Sequence, residues 1–127
     1  MVVQFNPDEL HGRIDAIVPA GVRWSRFHEA VREAIALNPE WADWNWVIDD
    51  QGPMEDVDVP DMAATGEAFV AQCRHPLRQT YTVVVTSDRF FANWAKVIDS
   101  HYGGRKHLAA PTFDEAVALV KTLTGGP

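Results

Sequence analysis

Three consecutive valines lie in the segment YTVVV, Tyr81–Val85. Successive side chains of a strand point to opposite faces of its sheet. An unbroken apolar run therefore asks for cover on both faces, as in a parallel sheet clothed by helices. The flanking sequence supplies the helices. Upstream, Met62, Gly66, Phe69 and Cys73 recur at helical spacing, and Pro60 follows Asp58 as a first-turn proline follows a cap. Downstream, Ser87 or Asp88 caps a helix with the stripe Phe91, Trp94, Ala95, Ile98 and Tyr102, and Gly103-Gly104 ends it.

The same pattern extends to both termini. Residues 2–5 and 13–18 read as strands joined by the turn formers of NPDELHG, with Ile14, Ala16 and Val18 sharing one face. Residues 22–37 form a helix on the stripe Trp24, Phe27, Val31 and Ile35, which Asn38-Pro39 terminates. Residues 45–49 are a strand with Trp46 and Ile48 on one face and Val47 on the other. His75-Pro76 closes the second helix, residues 106–109 form a fifth strand, and Thr112 with Glu115 makes a capping box for a last helix. The order is ββαβαβαβα. Strands reached through helices pair in parallel by right-handed crossovers, so the expected fold is α/β, a mixed five-stranded sheet with an antiparallel hairpin at one side. Residues 1–124 form a single domain and 125–127 a short tail.

The net charge is −7, and it is concentrated. Residues 33–73 hold ten acids and no Lys or Arg, whereas the rest of the chain holds eight acids and eleven bases. Such a field opposes nucleic acid and favours a partner with a basic surface. A lone cysteine, Cys73, excludes an internal disulfide. No membrane span and no leader are read from the sequence, and a cytoplasmic location is expected.

The element order, with TYTVVVTSDRFFANWAKVIDSHYGGRKHLAAPTFDEAVALVKTL, resembles the STAS-like family (sulfate transporter and anti-sigma-factor antagonist). Its stand-alone bacterial branch, similar in fold to Sec14, shares a valine-rich strand, an aromatic-bearing helix, a short strand and a closing helix. The antagonists of this family are switched by a serine phosphorylated at the start of the helix after the third strand. Here that place reads DVDVPDM: Asp58 is followed by Val59 and Pro60, and the next hydroxyl is Thr65. The resemblance implies the fold without the phosphorylation switch.

Catalytic and metal motifs are missing from the sequence. Asp49-Asp50 and Ser87 with Lys106 resemble parts of a response-regulator receiver, but no aspartate fits the phosphoacceptor place. The acids of DDQGPMEDVDVPD do not have EF-hand spacing. His11, His28, His75, His101 and His107 are scattered, and Cys73 reads as a buried, inert thiol. No metal, cofactor or catalytic residue is assigned, and the chain is read as a non-enzyme.

Two binding features are assigned. Trp41 and Trp44 fall in no regular stripe and, with the acids Asp49, Asp50, Asp56 and Asp58, form a candidate partner surface for a basic protein or a second copy of the chain. Trp24, Phe27, Phe69, Phe91 and Trp94 form a candidate apolar pocket. The expected function is a regulatory or protein-interaction module. The alternative is a carrier or sensor of a small apolar, lipid-like ligand held between helices and sheet.

Overall fold

A computed structural model describes residues 2–52, 58–88 and 91–125. The strands are β1 (Gln4–Asp8), β2 (Arg13–Val18), β3 (Asn45–Asp50), β4 (Tyr81–Val85) and β5 (Lys106–Ala110), and the helices α1 (Trp24–Leu37), α2 (Val59–Gln72), α3 (Phe91–His101) and α4 (Phe113–Leu123). The sheet order is β1-β2-β3-β4-β5. β1 is antiparallel to β2, and each later pair is parallel. The α/β class, the mixed five-stranded sheet and the order ββαβαβαβα are thus as the sequence implied.

Each new parallel strand is added on the same side of its predecessor. A right-handed crossover then places α1, α2 and α3 on one face. After β5 the chain folds back, and α4 covers the other face. Two cores result. Ile14, Ala16, Val18 and Trp46 of the sheet pack with Phe27, Val31 and Ile35 of α1 and with Met62 and Phe69 of α2. On the opposite face Val47, Val83, Val85 and Ala110 pack against Ala116 and Val120 of α4. The valine run serves both layers: Val83 and Val85 point to α4, and Val84 points between them to the three-helix side.

β1 differs from expectation. It runs to Asp8 rather than ending at Phe5, so Pro7 lies in the strand opposite Ile14 instead of in the turn. An edge strand tolerates proline because the missing N–H belongs to its outer side. The turn contracts to residues 9–12, with His11 N–H donating to the Asp8 carbonyl at 3.2 Å and Gly12 at φ 59°.

A second difference lies between α1 and β3. Residues Pro39–Asp43 form a short 3-10 turn, which carries Trp41. Asp43 at its end is buried. Its carboxylate accepts the backbone N–H of Arg74 and of His75 and the thiol of Cys73, at 2.9 to 3.1 Å. The last turn of α2 is therefore held by a side chain 30 residues upstream as well as by the following proline. Cys73 is the C-cap of α2 and half-buried, not part of its buried stripe. Burial, then the Asp43 carboxylate, raise its thiol pKa, so the thiol stays protonated.

Candidate functional site

The principal cavity, about 320 Å³, lies between the three-helix layer and the sheet. Protein interiors leave few voids larger than a water molecule, and binding pockets begin at about 300 Å³. Its floor is the face of the sheet formed by alternate residues: Trp46, Ile48 and Asp50 of β3, Thr82 and Val84 of β4, and His107 of β5. The pairings Trp46–Thr82, Ile48–Val84 and Thr82–His107 set these residues side by side. The walls are Trp24, Phe27, His28 and Val31 of α1, Met62, Thr65 and Phe69 of α2, and Phe91, Trp94 and Ile98 of α3.

The cavity persists because α3 is docked loosely. Its described side chains include none that is buried, although Phe91, Trp94 and Ile98 all face the cavity. By contrast α1 buries Phe27, His28, Val31 and Ile35. One glycine fixes where α3 ends: a Cβ on Gly66 of α2 would collide with the carbonyl oxygen of His101 and lie 3.1 Å from the Tyr102 ring. The exposed lining residues Val59, Asp88 and Trp94 mark the mouth, beside the C-terminal ends of β3 and β4. Ligands of open α/β sheets usually bind at that end.

All five residues expected in an apolar pocket (Trp24, Phe27, Phe69, Phe91 and Trp94) line this one cavity. The candidate partner surface is more dispersed. Trp41 and Trp44 are half-buried against the first core, and the Trp41 ring meets Phe5 at 6.3 Å and Trp46 at 6.4 Å. The Trp41 carbonyl also accepts the Trp46 indole N–H at 2.9 Å. Packing thus accounts for much of both rings. Asp50 is in the cavity floor, and Asp49 precedes it in β3. Asp58 is the N-cap of α2, and its carbonyl accepts the Trp24 indole N–H at 2.9 Å. Asp56 lies outside the described residues.

Two histidines at the cavity escaped the sequence reading. His28 sits one turn beyond Trp24 and three residues before Val31, so its place on the apolar stripe of α1 was a readable signal. His107 had no comparable signal, because its partner Asp99 is on α3 and only the fold brings them together. His107 Nδ1 lies 2.9 Å from Asp99 Oδ1, which also accepts the His107 backbone N–H at 2.8 Å. A carboxylate accepts, so His107 donates through Nδ1.

Thr65 joins His28 to two other groups. Three groups meet the Thr65 hydroxyl: the Asp61 carbonyl at 3.1 Å, Arg32 Nη1 at 3.1 Å and His28 Nδ1 at 2.8 Å. The carbonyl only accepts and the guanidinium only donates, whereas the His28–Thr65 contact runs in the direction that the ring's tautomer sets. Burial, with the neighbouring Arg32 charge, lowers the His28 pKa to about 3. Burial likewise lowers that of His107 against the opposing pull of Asp99. Both imidazoles are neutral at pH 7.

The remaining charges are arranged asymmetrically. Burial first, and then the Asp49 charge, raise the Asp50 pKa against a hydrogen bond from the Gly52 N–H. Among the described residues no Lys or Arg lines the cavity. Arg105 is buried nearby but donates to the carbonyls of Ala42, Trp44 and Tyr81 and to the Thr82 hydroxyl. Among the described residues no group of three or more metal-ligating side chains occurs, and no hydroxyl or thiol is hydrogen-bonded to His107 Nε2. No described helix is long and apolar enough to cross a membrane.

Fold and cavity together define an α/β domain with a mainly apolar cavity, open at one end, under three helices. Comparison with protein-family models, curated proteins and solved structures finds no match to the chain.

Proposed function

We propose that this protein binds a small apolar molecule in the cavity beneath α1, α2 and α3 and acts as its carrier or sensor, without transforming it. The observation that carries this reading is the cavity itself, about 320 Å³ walled mainly by aromatic and aliphatic side chains. The incomplete burial of α3 supports it, because an occupant would supply the apolar contacts that Phe91, Trp94 and Ile98 lack. The absence of a recognised catalytic constellation among the described residues favours binding over catalysis.

Two measurements test the proposal. Native mass spectrometry of freshly purified protein is expected to show a co-purifying adduct of small-molecule size. Calorimetric titration with naphthalene should give saturable 1:1 binding. Val84→Trp, which fills the floor of the cavity, should abolish that binding while leaving the circular dichroism spectrum unchanged. Undiminished binding in a folded Val84→Trp variant would falsify the cavity as the site.

A regulatory or interaction module is the second reading, favoured by Trp94 and Val97. These residues lie almost one turn apart on α3 and are 47% and 40% exposed. Under this reading the partner is a second copy of the chain or a protein with a basic surface. Light scattering of the wild type and of Trp94→Ser would register a dimer made through that face. The STAS-like relationship, with its bacterial and cytoplasmic setting, belongs to the same proposal. It is supported by the order ββαβαβαβα and a sheet with one antiparallel edge.

A further inference from the structure

The deep end of the cavity carries a hydrogen-bond acceptor whose role the fold decides. Trp46, Thr82 and His107 stand in register across β3, β4 and β5 and form the innermost row of the floor. Asp50 ends the floor near the mouth, four residues beyond Trp46 in β3, a span of about 13 Å at about 3.3 Å per residue. His107 thus lies away from the strand ends where the cavity opens.

Asp99 sets what the His107 ring can do. A carboxylate only accepts, and its Oδ1 takes the His107 backbone N–H at 2.8 Å and Nδ1 at 2.9 Å. The ring proton is therefore on Nδ1, and the neutral ring keeps a lone pair on Nε2. Burial, against the pull of Asp99, lowers the His107 pKa to about 4, so the ring is neutral at pH 7. The imidazole is only 6% exposed, and its Nε2 has no hydrogen-bond partner among the described residues. The Trp46 indole N–H of the same row is spent on the Trp41 carbonyl, and the Thr82 hydroxyl receives Arg105. Among the described residues, His28 Nε2 is the one side-chain polar atom that is both sealed from any probe and unpartnered. His107 Nε2 is unpartnered but not sealed, and the space that His107 lines is the cavity. Nearly buried acceptors in folded proteins are almost always satisfied, so this one asks for a donor from a molecule in the cavity.

Resting on the cavity reading above, we propose that the occupant is an apolar molecule with a hydroxyl or N–H donor at its inner end, and that Nε2 of His107 receives this donor at the deep end of the cavity. Asp99 is a positioning residue, because it holds the proton on the opposite ring nitrogen. The volume limits the occupant's size. About 320 Å³ is at the small end of ligand pockets. That suits a bicyclic aromatic alcohol or a medium-chain alcohol better than a two-tailed lipid.

The test is a matched set of calorimetric titrations at pH 7 with 2-naphthol and 2-methoxynaphthalene, with naphthalene as the reference. The naphthol should bind about two- to tenfold tighter than its methyl ether, the range of one neutral hydrogen bond. His107→Asn sets an amide N–H near the place of Nδ1, where it can still donate to Asp99, and deletes the distal nitrogen. In that variant the naphthol and the ether should bind equally. If the variant does not fold or binds neither probe, ¹⁵N spectra of the wild type decide. The His107 ring should carry its proton on Nδ1, and its Nε2 resonance should move with the naphthol and respond far less to the ether.

Equal binding of naphthol and ether by the wild type would mean that water serves Nε2 as well as a ligand does. It overturns this proposal and leaves the cavity reading intact, because both probes still bind. A preference retained in folded His107→Asn, a ring proton on Nε2, or an Nε2 resonance that responds alike to both probes removes His107 as the receiving group. Failure of all three probes to bind removes the cavity reading and this proposal together.

Discussion

The Thr65 hydroxyl of α2 lies 2.8 Å from Nδ1 of His28 on α1, and the contact ties the two helices together beside the cavity. Arg32 joins the same oxygen from α1 and also donates to the Asp61 carbonyl of α2 at 3.3 Å, so the hydroxyl is the centre of the polar link. The link is buried, with Thr65 1% and His28 3% exposed. Thr65→Val keeps the shape and deletes the oxygen. It strands His28 Nδ1 and one Arg32 N–H, and removing one partner of a buried hydrogen bond costs about 1–3 kcal/mol. Urea denaturation should show a loss of that size, while Thr65→Ser should retain most of the stability. Equal losses in the two variants would show that the methyl group, not the hydroxyl, makes the contribution.

Arg105 is an unusual core residue, a cation 4% exposed that finds neutral oxygens rather than a carboxylate. Burial lowers its pKa to about 10, which leaves it charged at pH 7. Its Nη2 reaches the Ala42 and Trp44 carbonyls at 2.9 and 2.7 Å, and its Nη1 the Tyr81 carbonyl and Thr82 hydroxyl at 3.2 and 3.1 Å. The planar fork suits this task because it holds several donors in fixed directions, which an ammonium cannot do. The guanidinium also lies 4.8 Å from the centre of the Phe69 ring. Arg105→Met should therefore cost on the order of 3 kcal/mol, since several buried oxygens lose a donor at once. Arg105→Lys should recover less than half of that loss. Chemical denaturation of both variants checks the prediction, and a Lys variant as stable as the wild type would contradict it.

The sequence disclosed what depends on local pattern. The valine run, the alternation in Ile14, Ala16 and Val18, and the Thr112 cap were all readable from nearest neighbours along the chain. In the structure, Thr112 Oγ1 accepts the Glu115 N–H at 3.1 Å. The five aromatics that line the cavity were readable as helix stripes, because each stripe had to face something apolar. Contacts made by distant residues were not readable. The Asp43 clamp on α2, the Arg105 fork and the His107–Asp99 pair each join parts of the chain that only the assembled sheet brings together. Pro7 misled for a different reason. Proline is a turn former by propensity, and its tolerance in β1 depends on that strand lying at an edge.

Gly66 separates helix propensity from packing. Replacing a mid-helix glycine by alanine ordinarily gains about 1 kcal/mol. Here the new methyl would collide with the carbonyl oxygen of His101 and come within 2.8 Å of its carbonyl carbon. Neither atom is the end of a flexible side chain, so α3 and the Tyr102 turn must move. Overpacking of this kind costs about 1–3 kcal/mol. Gly66→Ala should lower the melting temperature despite the better propensity. Because the end of α3 is displaced, it should also weaken naphthalene binding relative to the wild type. A more stable variant would mean that α3 yields freely.

Buried neutral histidines make stability depend on pH. The His28 pKa falls from 6.5 to about 3 because burial penalises its charged form and Arg32 repels it. His107 is shifted in the same direction, again chiefly by burial. Between about pH 6.5 and 3 the unfolded chain therefore binds protons that the folded chain refuses. The contribution from keeping these rings neutral is fully present above about pH 6.5 and declines as the pH falls. Each such group contributes up to about 1.4 kcal/mol per pH unit. Asp50, whose pKa is raised, acts in the opposite sense near the lower end of the range. From pH 7 to pH 5 the histidines should dominate, because most carboxyl groups remain ionised there. The urea midpoint should fall steadily across that interval, and the slope should be shallower in His28→Phe. A midpoint that holds constant from pH 7 to pH 5 would show that the rings reach solvent and take up protons in the folded protein.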